Sequence, residues 1–170
     1  MEIRPEKPED IDEIRELNER AFHQSHEAKI IDKLRKNCAD LLSLVAIEND
    51  KIVGHILFSP AVIEGLHGVT HGMGLAPMAV LPSMQKQGIG TQLIKAGIEI
   101  LKGAQCPFII VIGHPEYYPR FGFERALPYG IQCQWEGIPD EVFLILRLDQ
   151  SVMKQISGLA KYRDEFSEAV

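Results

Sequence analysis

A segment that carries two glycines, between an apolar run and a helical pattern, is the part of the chain best suited to chemistry. Gly88 and Gly90 follow the apolar residues 75–81 and open a stretch with helical periodicity. The first turn of a helix leaves backbone N–H groups without intrahelical partners, and the helix dipole adds partial positive charge there. Such groups can hold a phosphate or pyrophosphate, which glycine allows to approach the backbone. The segment predicts an anion site, with a simple tight turn as the alternative.

Two common nucleotide-binding loops do not fit this segment, whereas its flanking elements fit a βαβ unit. The chain has no GxxxxGK[ST] pattern, and GxGxxG fails because Leu93 stands where the third glycine should be. Apolar runs predict strands over residues 72–81 and 108–112, with a helix between them that ends near Gly103. The crossover predicts that these two strands are parallel neighbours.

The other periodicities predict an α/β domain with a mixed sheet. Helices are expected over residues 8–22 and 27–37, and further strands are expected at residues 3–5, 43–48, 51–59 and 142–148. Asn49 and Asp50 lie between two of these apolar runs and predict a hairpin turn. We expect a single domain over residues 1–150, followed by a short helix and a polar tail over residues 151–170.

Composition limits the classes of function. The 170 residues include 18 Lys and Arg against 24 Asp and Glu, a net charge of -6, which gives no electrostatic basis for binding nucleic acid. No apolar run approaches the roughly 20 residues that span a bilayer. The three cysteines form no CxxC pair, and no set of His, Cys and carboxylates has metal-ligand spacing. We therefore expect a cytoplasmic protein that binds no metal, no nucleic acid and no membrane.

Two motifs together resemble the GNAT N-acetyltransferase superfamily. Residues 85–90, Gln-x-x-Gly-x-Gly after an apolar strand, resemble the acetyl-CoA motif of that family. Residues 118–123, Tyr-x-x-x-Gly-Phe, are similar to a second family element of the same pattern. The resemblance spans residues 3–148, and residues 113–123 look like the YhbS-like branch.

The resemblance implies a fold and a co-substrate. The fold is a single-domain mixed sheet, flanked by helices, whose central parallel strands splay apart. The co-substrate is acetyl-CoA, with its pantetheine arm in the gap between residues 75–81 and 108–112. A backbone N–H near Met78–Val80 would polarise the thioester carbonyl. The residues implied in binding acetyl-CoA are Met78, Ala79, Val80, Gln85, Lys86, Gln87, Gly88, Ile89, Gly90 and Thr91.

Acetyl transfer to an amine also needs an acid and a base. Tyr118 matches the general acid of the family, because a phenol with a pKa of about 10 stays protonated at pH 7 and can donate to the leaving thiolate. The alternative is that Tyr118 only packs against the cofactor or hydrogen-bonds it. A lysine-like amine has a pKa of about 10.4 and must lose a proton before it attacks. His114 and Glu116 are the first candidates for this base, followed by His71 and Glu27.

Three functions stay open at this level. The chain is an N-acetyltransferase that acts on a small-molecule or peptide amine by direct attack, a non-catalytic acyl-CoA-binding module, or an α/β domain whose loop binds another phosphate ligand. Tyr118 favours the enzyme, because binding alone does not need a phenol at that point. Residues 113–116, Gly-His-Pro-Glu, depart from the usual asparagine and longer helix of the family, so the acceptor is not determined. The oligomeric state, monomer or homodimer, is open as well.

Overall fold

The computed structural model describes residues 1–169 of the chain. Its strands are β1 (Glu2–Pro5), β2 (Leu42–Glu48), β3 (Lys51–Gly65), β4 (Gly68–Val80), β5 (Phe108–Ile112), β6 (Glu124–Arg125), β7 (Ile131–Cys133), β8 (Phe143–Arg147) and β9 (Gly158–Lys161). Its α-helices are α1 (Ile11–Phe22), α2 (His26–Asn37), α3 (Ile89–Gly103) and α4 (Gln150–Met153). Short 3-10 helices lie at Pro8–Asp10, Pro82–Met84, Tyr118–Phe121, Leu127–Tyr129, Asp140–Val142 and Asp164–Ala169.

The strands form a mixed sheet, as the sequence predicts. The strand order is β1-β2-β3-β4-β5-β8-β6, and β9 pairs with both β3 and β7. Strands β1, β2 and β3 are antiparallel neighbours, and β8 pairs antiparallel with β5 and β6. The step from β4 through α3 to β5 is the predicted βαβ unit, and its two strands are parallel. The α/β class is therefore confirmed.

The elements fall into two compact units. One contains Met1–Ser59, Ala76–Glu99 and residues 164–169, and the other contains Pro60–Leu75 and Ile100–Arg163. In the first unit, apolar side chains of α1 pack against β2, β3 and β4 in a core made of Ile14, Leu17, Val45, Ile52 and Ala79. Burying an aliphatic side chain of this size stabilises a fold by about 1.5–3 kcal/mol. In the second unit, β5 and β8 are buried along nearly their whole length.

The start of α1 shows how the sequence sets a helix boundary. Pro8 opens a 3-10 turn, where its missing N–H costs no hydrogen bond. The carboxylate of Asp10 accepts a hydrogen bond from the Lys7 N–H at 2.7 Å and another from the Arg4 guanidinium at 2.7 Å. The helix ends at Phe22, and the next residue, His23, has a left-handed φ of 55°. These contacts explain why the predicted boundaries at this helix are close to the observed ones.

Two hairpins join the strands of the sheet, and the sequence revealed only one of them. Asn49 and Asp50 have φ angles of 50° and 61°, as a two-residue type I′ turn requires, and connect β2 to β3. The second hairpin joins β3 to β4 at residues 66–67. The predicted strand 51–59 ends before the observed β3 does, and the predicted strand 72–81 begins after the observed β4 begins. Proline cannot donate a hydrogen bond to a ladder, so Pro60 predicts that the strand ends before it. The structure shows instead that β3 continues through Pro60.

The expectation of a helix and a polar tail over residues 151–170 is incomplete. Helix α4 is followed by β9, which pairs antiparallel with β3 and parallel with β7. Val170, the last residue of that expected tail, lies outside the described residues. The four residues of β9 are too few for periodicity to separate a strand from a loop. Its partners β3 and β7 are distant in sequence.

A histidine is completely buried in the first unit. The Nε2 atom of His55 lies 2.8 Å from the Ser43 hydroxyl, which in turn contacts the Glu6 carboxylate. Arg35 holds that carboxylate through two hydrogen bonds of 2.9 and 3.1 Å. On the other side of the ring, the Asn18 amide lies 3.3 Å from Nδ1. The arrangement fits a neutral imidazole that donates from Nε2 and accepts at Nδ1.

We expect His55 to make the protein less stable as the pH falls from about 6.5 to 4. Burial lowers the pKa of His55 from 6.5 to about 4. In that window the unfolded chain binds a proton that the folded chain excludes, so the free energy of unfolding falls with falling pH. Between pH 7 and 4.5 this group alone removes about 2 kcal/mol.

The measurement is urea unfolding at both pH values for the wild type, His55→Gln and the control His67→Gln. His67 is exposed at the second hairpin. The His55→Gln protein is expected to be less stable at pH 7 but to lose less stability at pH 4.5, whereas His67→Gln follows the wild type. Equal losses in all three proteins would contradict the prediction.

Candidate active site

The segment between β4 and α3 is an exposed loop that is fixed at both ends. At its start, the Leu81 N–H donates to the Val53 carbonyl at 2.9 Å. At its end, Ile89 is buried, and a Cβ at Gly54 would lie only 2.8 Å from the Ile89 Cγ2 atom. Helix α3 therefore packs closely on β3. These contacts hold the N-terminus of α3 in a fixed place while residues 85–88 stay exposed.

The loop backbone leaves an open surface at the N-terminus of α3. The first hydrogen bond of the helix runs from the Gln92 N–H to the Gly88 carbonyl at 3.1 Å, so Ile89 and Gly90 precede its first donor. Gly88 has a φ of 88°, and a Cβ built there would meet no atom within 4 Å. Gly88 therefore adopts a left-handed conformation, and the space next to it at the N-terminus of α3 is open. An N-terminus of this kind suits an anion.

Side-chain amides brace the loop from within. The Gln85 Nε2 donates to the Val80 carbonyl at 3.1 Å, and the Gln87 Nε2 donates to the Ser83 carbonyl at 3.5 Å. Lys86 is exposed and has a left-handed φ of 64°. The shape of the turn thus depends on Gln85 tying the loop back to the end of β4, a role that the sequence pattern did not reveal. Lys86 adds positive charge at the surface of the loop.

The parallel pairing of β4 with β5 is short. It joins Met73 to Ile109, Gly74 to Ile110 and Leu75 to Val111. Strand β4 continues to Val80, but within residues 1–169 its pairing with β5 does not extend beyond Leu75. The expected parallel arrangement and early end of pairing are confirmed. The paired residues of β4 are 73–75, so of the expected segment 75–81 only Leu75 pairs with β5 among the described residues.

The residues of β4 beyond the paired part include the three expected to contact the cofactor. Ala79 is buried in the core of the first unit, while Met78 and Val80 are half-buried and alternate with it. Pro77 precedes them and has no N–H to donate to a neighbouring strand. This part of β4 is consistent with a backbone that can pair with an extended ligand.

Tyr118 lies in the second unit at the start of the 3-10 helix after β5. Its ring packs edge-on against Tyr117 and Phe123, with centroid distances of 5.2 and 5.6 Å. A Cβ at Gly113 would lie 2.2 Å from its Cε2 atom, so the close fit requires glycine there. Burial, with a smaller contribution from Tyr117, raises the pKa of Tyr118 to about 12. The hydroxyl is therefore protonated at neutral pH.

The candidate bases lie in different surroundings. His114 and Glu116 are exposed in the loop that leads to Tyr118, and the His114 carbonyl accepts a hydrogen bond from the Tyr118 N–H at 3.3 Å. His71 is exposed on β4. Glu27 belongs to the first unit, where its carboxylate accepts a hydrogen bond of 3.0 Å from Gln24. His114 and Glu116 are thus the candidates that share a loop with Tyr118.

A second buried tyrosine was missed by the sequence analysis. Tyr162 follows β9, in the segment expected to be a polar tail, and its hydroxyl reaches backbone carbonyls of β4 and β5. No motif marks it. Among the described residues, no group of three or more His, Cys, Asp or Glu side chains is placed to hold a metal ion. Across the same residues, no helix has the length and apolar character needed to cross a membrane.

Comparison with known sequences gives a consistent result over nearly the whole chain. Residues 2–126 match the family described as "Acetyltransferase (GNAT) domain". The chain is 32% identical over 168 residues to the uncharacterized N-acetyltransferase YhbS of Escherichia coli strain K12, covering 98% of this chain and 99% of that protein. It is 43% identical over 117 residues to the uncharacterized N-acetyltransferase YjhQ of the same strain, covering 68% of this chain and 65% of that protein.

Solved structures agree with the sequence matches. The crystal structure of YhbS from Escherichia coli in complex with CoA matches with a TM-score of 0.91 at 32% identity, covering 98% of this chain and 91% of that chain. The crystal structure of a GNAT family acetyltransferase from Brucella melitensis in complex with acetyl-CoA matches with a TM-score of 0.80 at 35% identity, covering 97% of each chain. Both related proteins were crystallised with the same kind of ligand.

Proposed function

The chain belongs to the GNAT acetyltransferase family, and we propose that it moves the acetyl group of acetyl-CoA to an amine by direct attack. The observation that carries this proposal is the open loop at the N-terminus of α3, in a chain whose relatives were crystallised with CoA and acetyl-CoA. The chain is an acyltransferase of the N-acetyltransferase type. The acceptor is a small-molecule or peptide amine whose identity the site does not specify.

The proposed cofactor site lies on β4 and the loop that follows it. The backbone of residues 85–91 holds the pyrophosphate, because N–H groups and the positive end of the helix dipole favour an anion there. Backbone groups of Met78 and Val80 pair with the pantetheine arm, since pairing with β5 has ended before them. Lys86 adds a positive charge outside the pyrophosphate. Gln85 acts indirectly by bracing the loop on Val80.

The proposed chemistry requires a series of proton movements. A base removes one proton from the ammonium form of the amine, whose nitrogen then attacks the thioester carbon, and a backbone N–H near Met78 to Val80 stabilises the developing oxyanion. The attached nitrogen, now positively charged, releases a second proton to solvent, the bond between carbon and sulfur breaks, and Tyr118 donates its proton as the thiolate leaves and then regains one from solvent. Burial supports this role, because it keeps the Tyr118 hydroxyl protonated. His114 or Glu116 supplies the base, and the pH profile of single variants decides between them.

The proposal also covers location and assembly. Cys38, Cys106 and Cys133 are free thiols, which favours a reducing compartment, and we propose the cytoplasm. The residues assigned above all lie within 1–150, which we propose as the acetyltransferase domain. Whether the protein works as a monomer or a homodimer does not affect these assignments.

The proposal is tested by titration and by turnover. Isothermal titration with CoA, acetyl-CoA and ADP is expected to show binding of the two CoA compounds. Release of free thiol from acetyl-CoA is then measured against a library of small amines, amino acids and peptides. Thiol release that depends on one amine class, with acetylated product in the mass spectrum, is the expected result. Tight CoA binding without turnover on any class would favour a non-catalytic acyl-CoA-binding module, and absence of CoA binding would overturn the proposal.

A further inference from the structure

The hydroxyl of Tyr118 differs from those of Tyr129 and Tyr162 because no polar group holds it. The Tyr129 hydroxyl donates to the Glu124 carboxylate. The Tyr162 hydroxyl donates to the Leu75 carbonyl at 3.2 Å. Within the part of the chain that the structure describes, the Tyr118 hydroxyl forms no hydrogen bond. The position of this hydroxyl therefore depends on how its ring is packed.

One edge of the Tyr118 ring lies directly on the backbone of Gly113. A Cβ at Gly113 would lie 2.2 Å from the Cε2 atom of Tyr118, 2.7 Å from its Cδ2 atom and 3.2 Å from its Cζ atom. All three atoms belong to the rigid ring, so the contact cannot be relieved by moving the end of a flexible side chain. The Cζ atom carries the hydroxyl, and Gly113 therefore lies next to the atom that fixes the donor oxygen.

The backbone is held on both sides of this contact. The Gly113 N–H donates to the Val142 carbonyl at 3.0 Å, which adds one step to the antiparallel pairing of β5 with β8. The Tyr118 N–H donates to the His114 carbonyl at 3.3 Å, which closes the turn that returns the chain to Gly113. A side chain at position 113 would therefore displace the Tyr118 ring more readily than the strand.

Phe123 contacts the same ring from another direction. Its centroid lies 5.6 Å from that of Tyr118, and the two rings are edge-on with an interplanar angle of 72°. Edge-on pairs of aromatic rings are a favourable arrangement at this distance. Phe123 is only 2% exposed, so it belongs to the packed interior of the second unit. Gly113 and Phe123 together limit where the Tyr118 ring can lie.

We propose that Gly113 and Phe123 are positioning residues that hold the Tyr118 hydroxyl where it can donate its proton to the leaving thiolate. This inference rests on the proposed function, because it takes Tyr118 as the acid. The proton passes from the phenol oxygen to sulfur as the bond between carbon and sulfur breaks, and solvent returns a proton to the phenolate. A donor must lie within hydrogen-bond reach, so a ring displaced by about 1 Å slows the reaction although the acid is still present.

The first test is Gly113→Ala, which adds a single methyl group under the ring. We measure kcat for thiol release from acetyl-CoA with the amine that the wild type acetylates in the library screen. It is expected to fall about 5- to 50-fold, the scale of a misplaced catalytic group. The dissociation constant of acetyl-CoA is expected to change by less than about threefold, because the acid acts in the transition state. Unchanged kcat in a folded Gly113→Ala protein would overturn the inference.

A double variant separates the placement of the hydroxyl from other effects of the methyl group. Gly113→Ala combined with Tyr118→Phe keeps the ring and its contact with the added methyl group but has no proton donor. Its kcat is expected to equal that of Tyr118→Phe within about twofold, because two changes that act on one group are not additive. A further loss as large as that of Gly113→Ala alone would show that Gly113 acts on something other than the hydroxyl and would overturn the inference.

Phe123→Leu tests the same placement without adding an atom next to the ring, and it decides the question if Gly113→Ala does not fold. Leucine leaves the Tyr118 ring more room, so kcat is expected to fall about 3- to 20-fold at nearly constant affinity for acetyl-CoA. In the Tyr118→Phe background the substitution is expected to cause no further loss. Normal kcat in the folded Phe123→Leu protein would contradict the inference.

Gly72→Ala is the matched control. A Cβ at Gly72 would lie 2.6 Å from the Cε1 atom of Phe108, so it makes a similar contact with a ring of the same unit that has no hydroxyl. Its kcat is expected to stay within about twofold of the wild type in a protein that urea unfolding shows to be folded. A loss equal to that of Gly113→Ala would make the effect a general one and overturn the inference.

Failure of the inference and failure of the proposed function give different results. Slow turnover in Tyr118→Phe with normal turnover in Gly113→Ala and Phe123→Leu would overturn the inference alone. A wild type that binds CoA but releases no thiol with any amine would overturn the proposed function and the inference with it.

Discussion

Replacing Tyr118 with phenylalanine is expected to lower kcat by about 10- to 1000-fold, the range that overlaps the loss of a general acid. The phenyl ring stays, so packing against Tyr117, Phe123 and Gly113 is kept. Only the proton donor is lost. Since the donor acts as the thiolate leaves, its contribution is made in the transition state and not in the ground state.

The same substitution should leave cofactor binding nearly unchanged. The dissociation constant of acetyl-CoA is expected to change by less than about threefold, because water can replace one hydroxyl at little net cost. A loss in kcat at constant affinity marks an interaction made mainly in the transition state. The measurements are steady-state kinetics with the acceptor found in the amine screen, and titration with acetyl-CoA. Tyr129→Phe, which removes a hydroxyl elsewhere in the same unit, is the control.

The pH dependence gives an independent check on Tyr118. Its pKa is raised to about 12 by burial, so the hydroxyl stays protonated far above neutral pH. Loss of the acid form should therefore produce no fall in kcat between pH 7 and about 10, because a group loses its proton only near its pKa. Full activity of Tyr118→Phe would show that water or another residue donates the proton. Lost affinity at unchanged kcat would make Tyr118 a binding residue.

Introducing glutamate at Gly90 is expected to weaken acetyl-CoA binding at least tenfold, which corresponds to about 1.4 kcal/mol. Gly90 is the second residue of α3, so its backbone has the right-handed helical conformation that L-residues commonly adopt. The added carboxylate would lie at the proposed pyrophosphate site and repel it. Gly88→Glu is expected to have at least the same effect, but its left-handed φ adds backbone strain. Gly90→Glu is therefore the cleaner variant.

The control for this prediction lies at the other end of the same helix. Gly103 ends α3, and a Cβ there would meet no atom within 4 Å, so Gly103→Glu adds the same charge without a clash. It should bind acetyl-CoA like the wild type. Titration gives the affinities, and urea unfolding confirms that each variant is folded. Unchanged affinity in a folded Gly90→Glu protein would remove the pyrophosphate from this loop.

Local chain order predicted the glycine-bearing turn that opens α3 and the βαβ unit. The helix N-terminus is built by consecutive residues, so a glycine pattern before a helical periodicity is sufficient to find it. The parallel direction of β4 and β5 follows from the helix that connects them. The buried strand at Phe108–Ile112 was found with its observed bounds, because five apolar residues in a row leave few alternatives.

Local patterns failed where a strand depends on its neighbours. The continuation of β3 through Pro60 contradicts the propensity of proline, yet the strand goes on to residues 62–64, where β9 pairs with it. The short strands β6, β7 and β9 have no usable periodicity, and they became strands only because longer strands lie beside them. Tertiary context overrides propensity in such segments.

The sequence by itself determined the family, the α/β class and the glycine-bearing turn before α3, and it predicts an anion site at residues 85–91 and Tyr118 as the acid. These features depend on residues that are adjacent in the chain or that are connected by a single crossover helix. Tertiary structure alone decided the surroundings of His55, the bracing of the loop by Gln85 and the insertion of Tyr162 beside Leu75. A hydrogen bond between distant segments depends on which backbones meet in space, and hydrophobic periodicity records only which face of an element is buried.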